Sequence, residues 1–534
     1  MMKEERRPPI SPNDLVGSVS RRGVLKAGGI LTGVTLMPGL LSSCTSDSSS
    51  VSAAATGPLD AEGANIFEAL DPHIASAIGT IAITDLIFES LYSTDPVNPA
   101  LVVPVLADGD PQVSGRTATV RLRQGATFQD GTPVRAADVV FSFKRIADPK
   151  LASLYARFLS FIAKVEAPDD TTVRFAMTTT SSLLKNRLGL VRIMSEKQVR
   201  KADKKALATQ PIGSGPFRAT AVNSTRSVTL EKSAVYRGPR KGVADKITYA
   251  VVPDDAARLS ALASGQTDVI YNVPYQDVDR LNAGSTKSAA VPSFDHTDLF
   301  FNCKKAPFDD PRVRLAFHHA VNRQAILDAV YLGKAENAVS ILPSRHPDFV
   351  EPTTKVDYDP AKARQLLSAA GVSKLSMTLL VSNIGYVTPQ ATLIQGDLEK
   401  VGISAKVQLG ETQSLLPTIL DGKYDAWLTI GDATVIGAYD GEFLMRWLYY
   451  GAIATAFMYW TTPEQKKVEA LLEAAFSAPA EAGRKDALAQ VQNIVAAAVP
   501  TFPLHFRQLP SAWSSQWDLR PSPIYGVDLF GAPS

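Results

Sequence analysis

An α/β fold, with a mainly parallel sheet flanked by helices, is what the second half of this 534-residue sequence predicts. Two observations carry that expectation. Segments with helical and with strand-like apolar spacing alternate between residues 359 and 430, and glycines stand where the helical segments must stop. Such alternation requires crossover connections, so the strands run parallel and the helices cover the faces of the sheet. Sheets of this kind bind ligands beyond the carboxyl ends of their strands.

Each element has a local reason. Asp359-Pro360 supplies an N-cap and a first-turn proline, and "AKARQLLSAAG" closes at Gly371. "LSMTLLV" (375–381) has the apolar bias of a strand. "TLIQGDLEKVG" sets Leu393, Ile394, Leu398 and Val401 at helical spacing and stops at Gly402. "ISAKVQL" alternates Ile403, Ala405, Val407 and Leu409 with smaller or polar residues, "TQSLLPTILDG" reads as a helix interrupted by Pro417, and "YDAWLTI" as another strand. The first half is mixed. "TATVRLRQG" reads as a strand, Asp130-Gly131 as a turn, and "AADVVFSFKRI" as a helix with Val139, Val140, Phe143 and Ile146 on one face. "VEAPDDTTVRFAM" reads as a hairpin turning at Asp169-Asp170. No repeat and no long interior linker divides the chain, so its two or three domains are interleaved.

Composition excludes several classes. Hydrophobic residues at 45% and charged residues at 20% describe a folded chain. The first 43 residues hold six of the positive and three of the negative side chains, which leaves 49 positives against 50 negatives in the remainder. No basic surplus remains for nucleic acid, and no Lys/Arg cluster is interleaved with aromatics. Two cysteines, Cys44 and Cys303, build no disulfide framework, and neither CxxC nor HExxH occurs. Cys303 reads as a small buried thiol. His318 and His319 are adjacent on a helix, so at most one faces inward and the pair is a poor metal site. There is no GxxxxGK[ST] phosphate loop and no GxSxG nucleophile elbow.

The N-terminus describes an export signal. Residues 30–41 are apolar but glycine-broken, and a bilayer-spanning helix needs about 20 apolar residues. "SRRGVLK" resembles the twin-arginine signal, with Arg21 and Arg22 as its pair and Val24 where phenylalanine is usual. Leu41-Ser42-Ser43-Cys44 resembles a lipobox, which implies cleavage before Cys44 and lipidation of its thiol. The Ser/Ala-rich run over 44–58 reads as a flexible tether. The expected mature protein is a lipoprotein on the outer side of the cytoplasmic membrane.

"VRLRQGATFQDGTPVRAADVVFSFKRIADP" (120–149) closely resembles the signature of the family 5 extracytoplasmic solute-binding proteins of peptide and nickel ABC importers. "FESLYSTDP", "PIGSGPF", "LSALASGQTDV", "FFNCKKAPFDDPRVRLAFHHAVNR" and "YDPAKARQLLSAAG" follow in family order. The resemblance implies a two-lobed fold of the type II periplasmic binding-protein class, with mixed sheets flanked by helices and a cleft between the lobes. The lobes are expected over 59–292 (with an extra subdomain at about 99–210) and 293–499, and 500–534 returns to the first lobe. The strands that cross between lobes are expected near 293–301 and 500–506. Arg135 departs from the family, which commonly has a threonine cap there.

The same resemblance implies a binding protein, not an enzyme, with no cofactor and no metal. Its partners would be a peptide-like or other small ligand, an ABC permease and, through the lipid, the membrane; it would be a monomer. In peptide-binding members a second-lobe aspartate pairs with the ligand's ammonium group. The corresponding stretch, "YDAWLTIGDATVIGAYDGEFLMRWLYYG", lacks the usual Asp-Pro-Asp run and offers Asp432 and Asp440. Trp427 and Tyr386 stand at strand ends, where cleft walls form. Asn302 either meets ligand or caps backbone at the hinge. Nickel complexes and oligosaccharides are the alternative cargoes; a secreted hydrolase and a surface receptor or adhesin are the alternative functions.

Overall fold

The computed structural model describes residues 57–64, 69–75, 77–223, 226–431 and 437–531. Arg21, Arg22, Cys44, Asp432, the export signal over 1–43 and nearly all of the tether lie outside the described residues.

The alternation read between 359 and 430 appears as helix Pro360–Ala369, strand Leu375–Ser382, helix Thr388–Glu399, strand Ile403–Gly410, helix Thr412–Leu420 and strand Ala426–Ile430. The Asp359 carboxylate accepts the Lys362 N–H at 2.8 Å and starts the first of these helices. Gly371, at φ +74°, ends it in the left-handed conformation that a side chain resists. Strand Leu375–Ser382 lies between the other two and parallel to both. The sheet turns mixed at the next strand, Thr286–Phe301, which pairs antiparallel with Ala426–Ile430.

Two long strands then carry the sheet across the molecule. Thr286–Phe301 and Thr501–Ser514 pair antiparallel from Thr286↔Ser514 to Pro292↔Gln508, lose register, and resume at His296↔Phe506. Pro292 has no N–H to give, so the ladder breaks where the chain passes from one core to the other. Beyond Thr501–Ser514 the sheet continues through Val269–Tyr271, Pro58–Gly63, Lys246–Val251, Ser227–Lys232 and Phe217–Asn223. A separate four-stranded sheet over 112–177 carries the predicted hairpin and packs under helix Ala136–Ala147.

Three large hydrophobic clusters result. One surrounds helix Pro311–Ala320 and the strands between 375 and 430, one fills the face of the sheet from Leu59 to Phe530, and one lies under the four-stranded sheet. His318 and His319 correct the expectation that at most one is inward, because helix Pro311–Ala320 is covered on more than one side and both rings are buried. His318 Nδ1 meets the Arg323 guanidinium at 2.9 Å, and His319 Nδ1 lies 2.7 Å from the Asp357 carbonyl. Cys303 is buried, and burial pushes its thiol up to about 11. In "PIGSGPF" a Cβ at Gly213 would run into the Ile87 carbonyl, so that backbone approach requires glycine.

The cluster under the four-stranded sheet also contains Ala438, Phe443 and Phe476. Phe158 packs on Phe443 with ring centroids 4.4 Å apart, and Phe161 on Phe476 at 4.9 Å. Between these aromatics the buried Arg187 guanidinium grips both oxygens of Asp440, at 2.8 and 3.0 Å, and also meets Glu442. Asp440 further N-caps helix Gly441–Tyr449 by accepting from Phe443 N. Burial alone would raise its carboxyl, but the Arg187 charge and these hydrogen bonds outweigh that and hold it below the usual carboxylate range.

Two outcomes are expected. Helix Ala136–Ala147 starts at Arg135 without a side-chain cap, and only the reciprocal bond from Arg135 N to Asp138 is made, at 3.0 Å. Arg135→Thr completes the capping box and raises the unfolding free energy in urea by about 0.5–1 kcal/mol. Arg187→Met leaves the buried Asp440 carboxylate without its ion-pair partner, while Glu442 keeps Arg446, and costs about 3–5 kcal/mol at neutral pH. Because the folded value of Asp440 is depressed, its contribution is present above the ordinary carboxylate value and is lost as pH falls through the folded one. The deficit of Arg187→Met against wild type therefore holds from about pH 7 to about pH 4 and narrows as pH is lowered further in denaturant titrations.

Candidate functional site

Where the two crossing strands lose register, charged side chains enter an otherwise apolar interior. The Ser293 hydroxyl donates to the Arg507 carbonyl at 2.7 Å and accepts the Asp295 N–H at 3.2 Å, which fixes the irregular turn of the strand. Asp295 and Arg507 then face one another, 2% and 5% exposed. Arg507 Nε and Nη2 donate to the same carboxylate oxygen, Oδ2, at 2.6 and 2.5 Å. Burial alone would lower the Arg507 guanidinium, but the Asp295 charge outweighs it and keeps the group charged.

Aromatic groups surround the pair. The Tyr386 hydroxyl donates to Asp295 Oδ2 at 3.3 Å, and its ring lies 3.8 Å under the guanidinium carbon of Arg507. Arg507 Nη1 donates to the Tyr275 hydroxyl at 3.4 Å, and that hydroxyl donates to the Gln508 carbonyl. Behind them the Tyr331 hydroxyl meets His505 Nε2 and Gln390 Nε2, each at 2.8 Å. Burial pushes the His505 imidazole down to about 3, so it is neutral at physiological pH.

Asp295 and Arg507 line a narrow cleft. Its walls are helix Ile78–Ile87, the inner face of strand Thr501–Ser514 and the chain from Ile524 to Phe530, and they are largely apolar. A second, larger space adjoins strand Thr286–Phe301 at Pro292 and Phe294, bounded by residues 97–102 and 182–186 on one side and by 345–348 and Asp440 on the other. An apolar space with a few convergent polar groups is what a small solute requires.

The sequence-derived candidates separate in the structure. Tyr386 is at the Asp295–Arg507 centre. Asp440 borders the larger space, but Arg187 and Phe443 N occupy both of its oxygens. Trp427 is buried in a core with its ring on Phe300 and its Nε1 donating to Ser382 Oγ at 3.1 Å, not on a cleft wall. Asn302 takes the capping role, donating to the carbonyls of Gly422 and Tyr424 at 3.0 and 3.2 Å. Among the described residues no cluster of three His, Cys, Asp or Glu side chains could hold a metal ion. Asp295 and Arg507 escaped sequence reasoning. Their signal is charge within apolar strands, Asp295 and Asp298 in "SFDHTDLFF" and Arg507 in "FPLHFRQLP", which is costly unless the charge is paired or used.

Comparison with known proteins agrees with this architecture. The glutathione-binding protein GsiB of Escherichia coli K12 is 31% identical over 396 residues, 72% of this chain and 74% of that one. The GsiB of Pectobacterium atrosepticum is 31% identical over 346 residues, 64% of this chain and 67% of its own. Among solved structures, the Helicobacter pylori periplasmic binding protein DppA in complex with the peptide STSA superposes with a TM-score of 0.78 at 22% identity, covering 90% of this chain and 99% of that one. AgaA from Agrobacterium ("A.tumefacien R10") in complex with agropinic acid gives 0.76 at 24% identity over 89% and 99%. At these identities the structures speak for the two-lobed fold alone. The model of the bacterial extracellular solute-binding proteins, family 5, matches residues 102–455, and the chain belongs to that family.

Proposed function

We propose that the protein is the extracytoplasmic substrate-binding component of an ABC importer and captures a small peptide-like solute in the cleft beside Asp295 and Arg507. The observation that carries this reading is the largely apolar cleft lined by a buried ion pair at the crossing strands. A ligand seated there touches the place where the chain passes between the two cores, so its contacts favour one relative arrangement of the lobes over another. The GsiB relatives bear the name of a tripeptide and DppA holds a peptide, which supports a solute of that size. The closed arrangement would then hand its cargo to a membrane permease. Lipidation at Cys44, after export under Arg21 and Arg22, would keep the protein beside it.

Titration calorimetry with glutathione and with short peptides is expected to give saturable binding, and thermal unfolding to rise with ligand. A hundredfold excess over Kd corresponds to about 2.7 kcal/mol of added stability. Absence of both, with every peptide tested, would refute the peptide-like cargo. Separately, Cys44→Ser is expected to abolish incorporation of labelled fatty acid and to move the protein from the membrane to the soluble fraction. Unchanged labelling would remove the lipid anchor.

A further inference from the structure

The accessible charge of the larger space has one sign. Its acidic residues, among those described, are Asp348 and Asp440, both buried, and neither has an oxygen to offer. Asp348 Oδ1 accepts from Arg484 Nη2 at 3.3 Å and Oδ2 from Gly441 N at 3.2 Å. Asp440 is held by Arg187 and by Phe443 N. His346 uses both ring nitrogens internally, toward the Tyr439 carbonyl and the Asp348 N–H, each at 2.9 Å. In the narrow cleft, Asp295 is tied to Arg507 through one oxygen and its other oxygen is buried.

The cations differ. Arg345 and Lys185 stand on opposite sides of the larger space, with side chains 33% and 34% exposed. Arg345 gives two of its five N–H groups to Glu336 Oε1, at 3.1 Å, and to the Ser293 carbonyl, which leaves three. Glu336 is not among the residues lining the space. The guanidinium carbon lies 5.3 Å from the centre of the Phe294 ring, and burial there lowers the group from its ordinary value, with Glu336 offsetting part of the effect. A carboxylate arriving beside it supplies the charge this half-dry group is short of, in the planar geometry that suits it. Lys185 Nζ meets the exposed Asp110 at 3.0 Å, and a surface pair of that kind holds its lysine weakly. An ammonium entering here finds cations and no open carboxylate. A carboxylate finds a cation on each side, and Leu101, Val102, Val291 and Phe294 give the rest of the solute an apolar surface.

We propose that the solute is an anion whose carboxylate binds Arg345 in the larger space, with Lys185 facing it from the other side, and that a free ammonium group plays no part in its recognition. This rests on the solute-binding reading and narrows its cargo to acids, those with a blocked amine included. The two cations belong to segments far apart in the chain, so an anion between them favours the arrangement that brings both sides near.

Trialanine, N-acetyltrialanine and trialaninamide carry, in turn, both terminal charges, the carboxylate alone and the ammonium alone. In calorimetry on the wild-type protein the first two are expected to bind within about threefold of one another, and trialaninamide about tenfold or more weakly, the loss of one charge-assisted contact. Arg345→Gln is expected to reduce that preference for acid over amide to about twofold or less, and Arg345→Lys, which keeps the charge, to retain most of it. Lys185→Gln is expected to weaken both acids about threefold and to leave the amide unchanged. The probes need no change in the protein, so they decide even if Arg345→Gln, which also gives up the Ser293 contact, fails to fold. Trialaninamide binding as tightly as trialanine, or loss of binding on N-acetylation, would overturn the anion assignment and leave the peptide-like cargo standing. So would a folded Arg345→Gln protein that keeps the full preference. Binding of none of the three would overturn the assignment together with the peptide-like function.

Discussion

Two strands that must pass between separate hydrophobic cores cannot remain a regular ladder and also turn, and the Asp295–Arg507 pair stands where that conflict is resolved. The ladder between Thr286–Phe301 and Thr501–Ser514 fails after Pro292 and restarts at His296. In the gap, Ser293 and Asp295 on one strand hold Arg507 on the other, by a backbone carbonyl and a guanidinium respectively. A buried ion pair is weak evidence for stability, since desolvation offsets much of its attraction. Its effect here is on specificity. Slipping either strand by a residue would turn its own charge to the opposite face and leave the other unpaired, so the pair fixes the register of the crossing.

The rest of the interior follows from that fixed point. Tyr386 reaches the pair from the turn after strand Leu375–Ser382 and Tyr275 from helix Tyr275–Leu281, so segments far apart in the chain touch one guanidinium. Tyr331, Gln390 and neutral His505 extend the polar chain without adding charge. On the far side of the cleft, Arg187 between Phe443 and Phe476 joins the cores a second time. The two arginines differ in one respect. Arg187 is surrounded by carboxylates whose oxygens it and its neighbours occupy, whereas the carboxylate of Arg507 retains one buried oxygen without a hydrogen bond.

Local periodicity made much of the fold legible. The six elements from Pro360 to Ile430 appear where spacing and caps put them, because Asp359, Gly371 and Pro417 act through their immediate neighbours. The mixed character of the sheet was not readable from that alternation, since it arises from strand Thr286–Phe301, far from those elements in the chain. The same distance hid the site. Asp295 and Arg507 are 212 residues apart, and only the folded sheet makes them a pair. Trp427 and Asn302 illustrate the converse: a side chain at a strand end has a polar atom to satisfy, and Ser382 and two carbonyls satisfied them internally. Asp440 was singled out from its loop, but its partner Arg187 lies 253 residues earlier.

The cleft draws its walls from helix Ile78–Ile87 and from the segment Ile524–Phe530, nearly the full span of the described chain. Contacts of such sequence separation form late in folding. During synthesis, a chain still missing those final residues has one side of the chamber absent and nothing to enclose a guest. Enclosure thus depends on residues 78–87 and 524–530 together, and cutting the chain between them would remove a wall of the chamber.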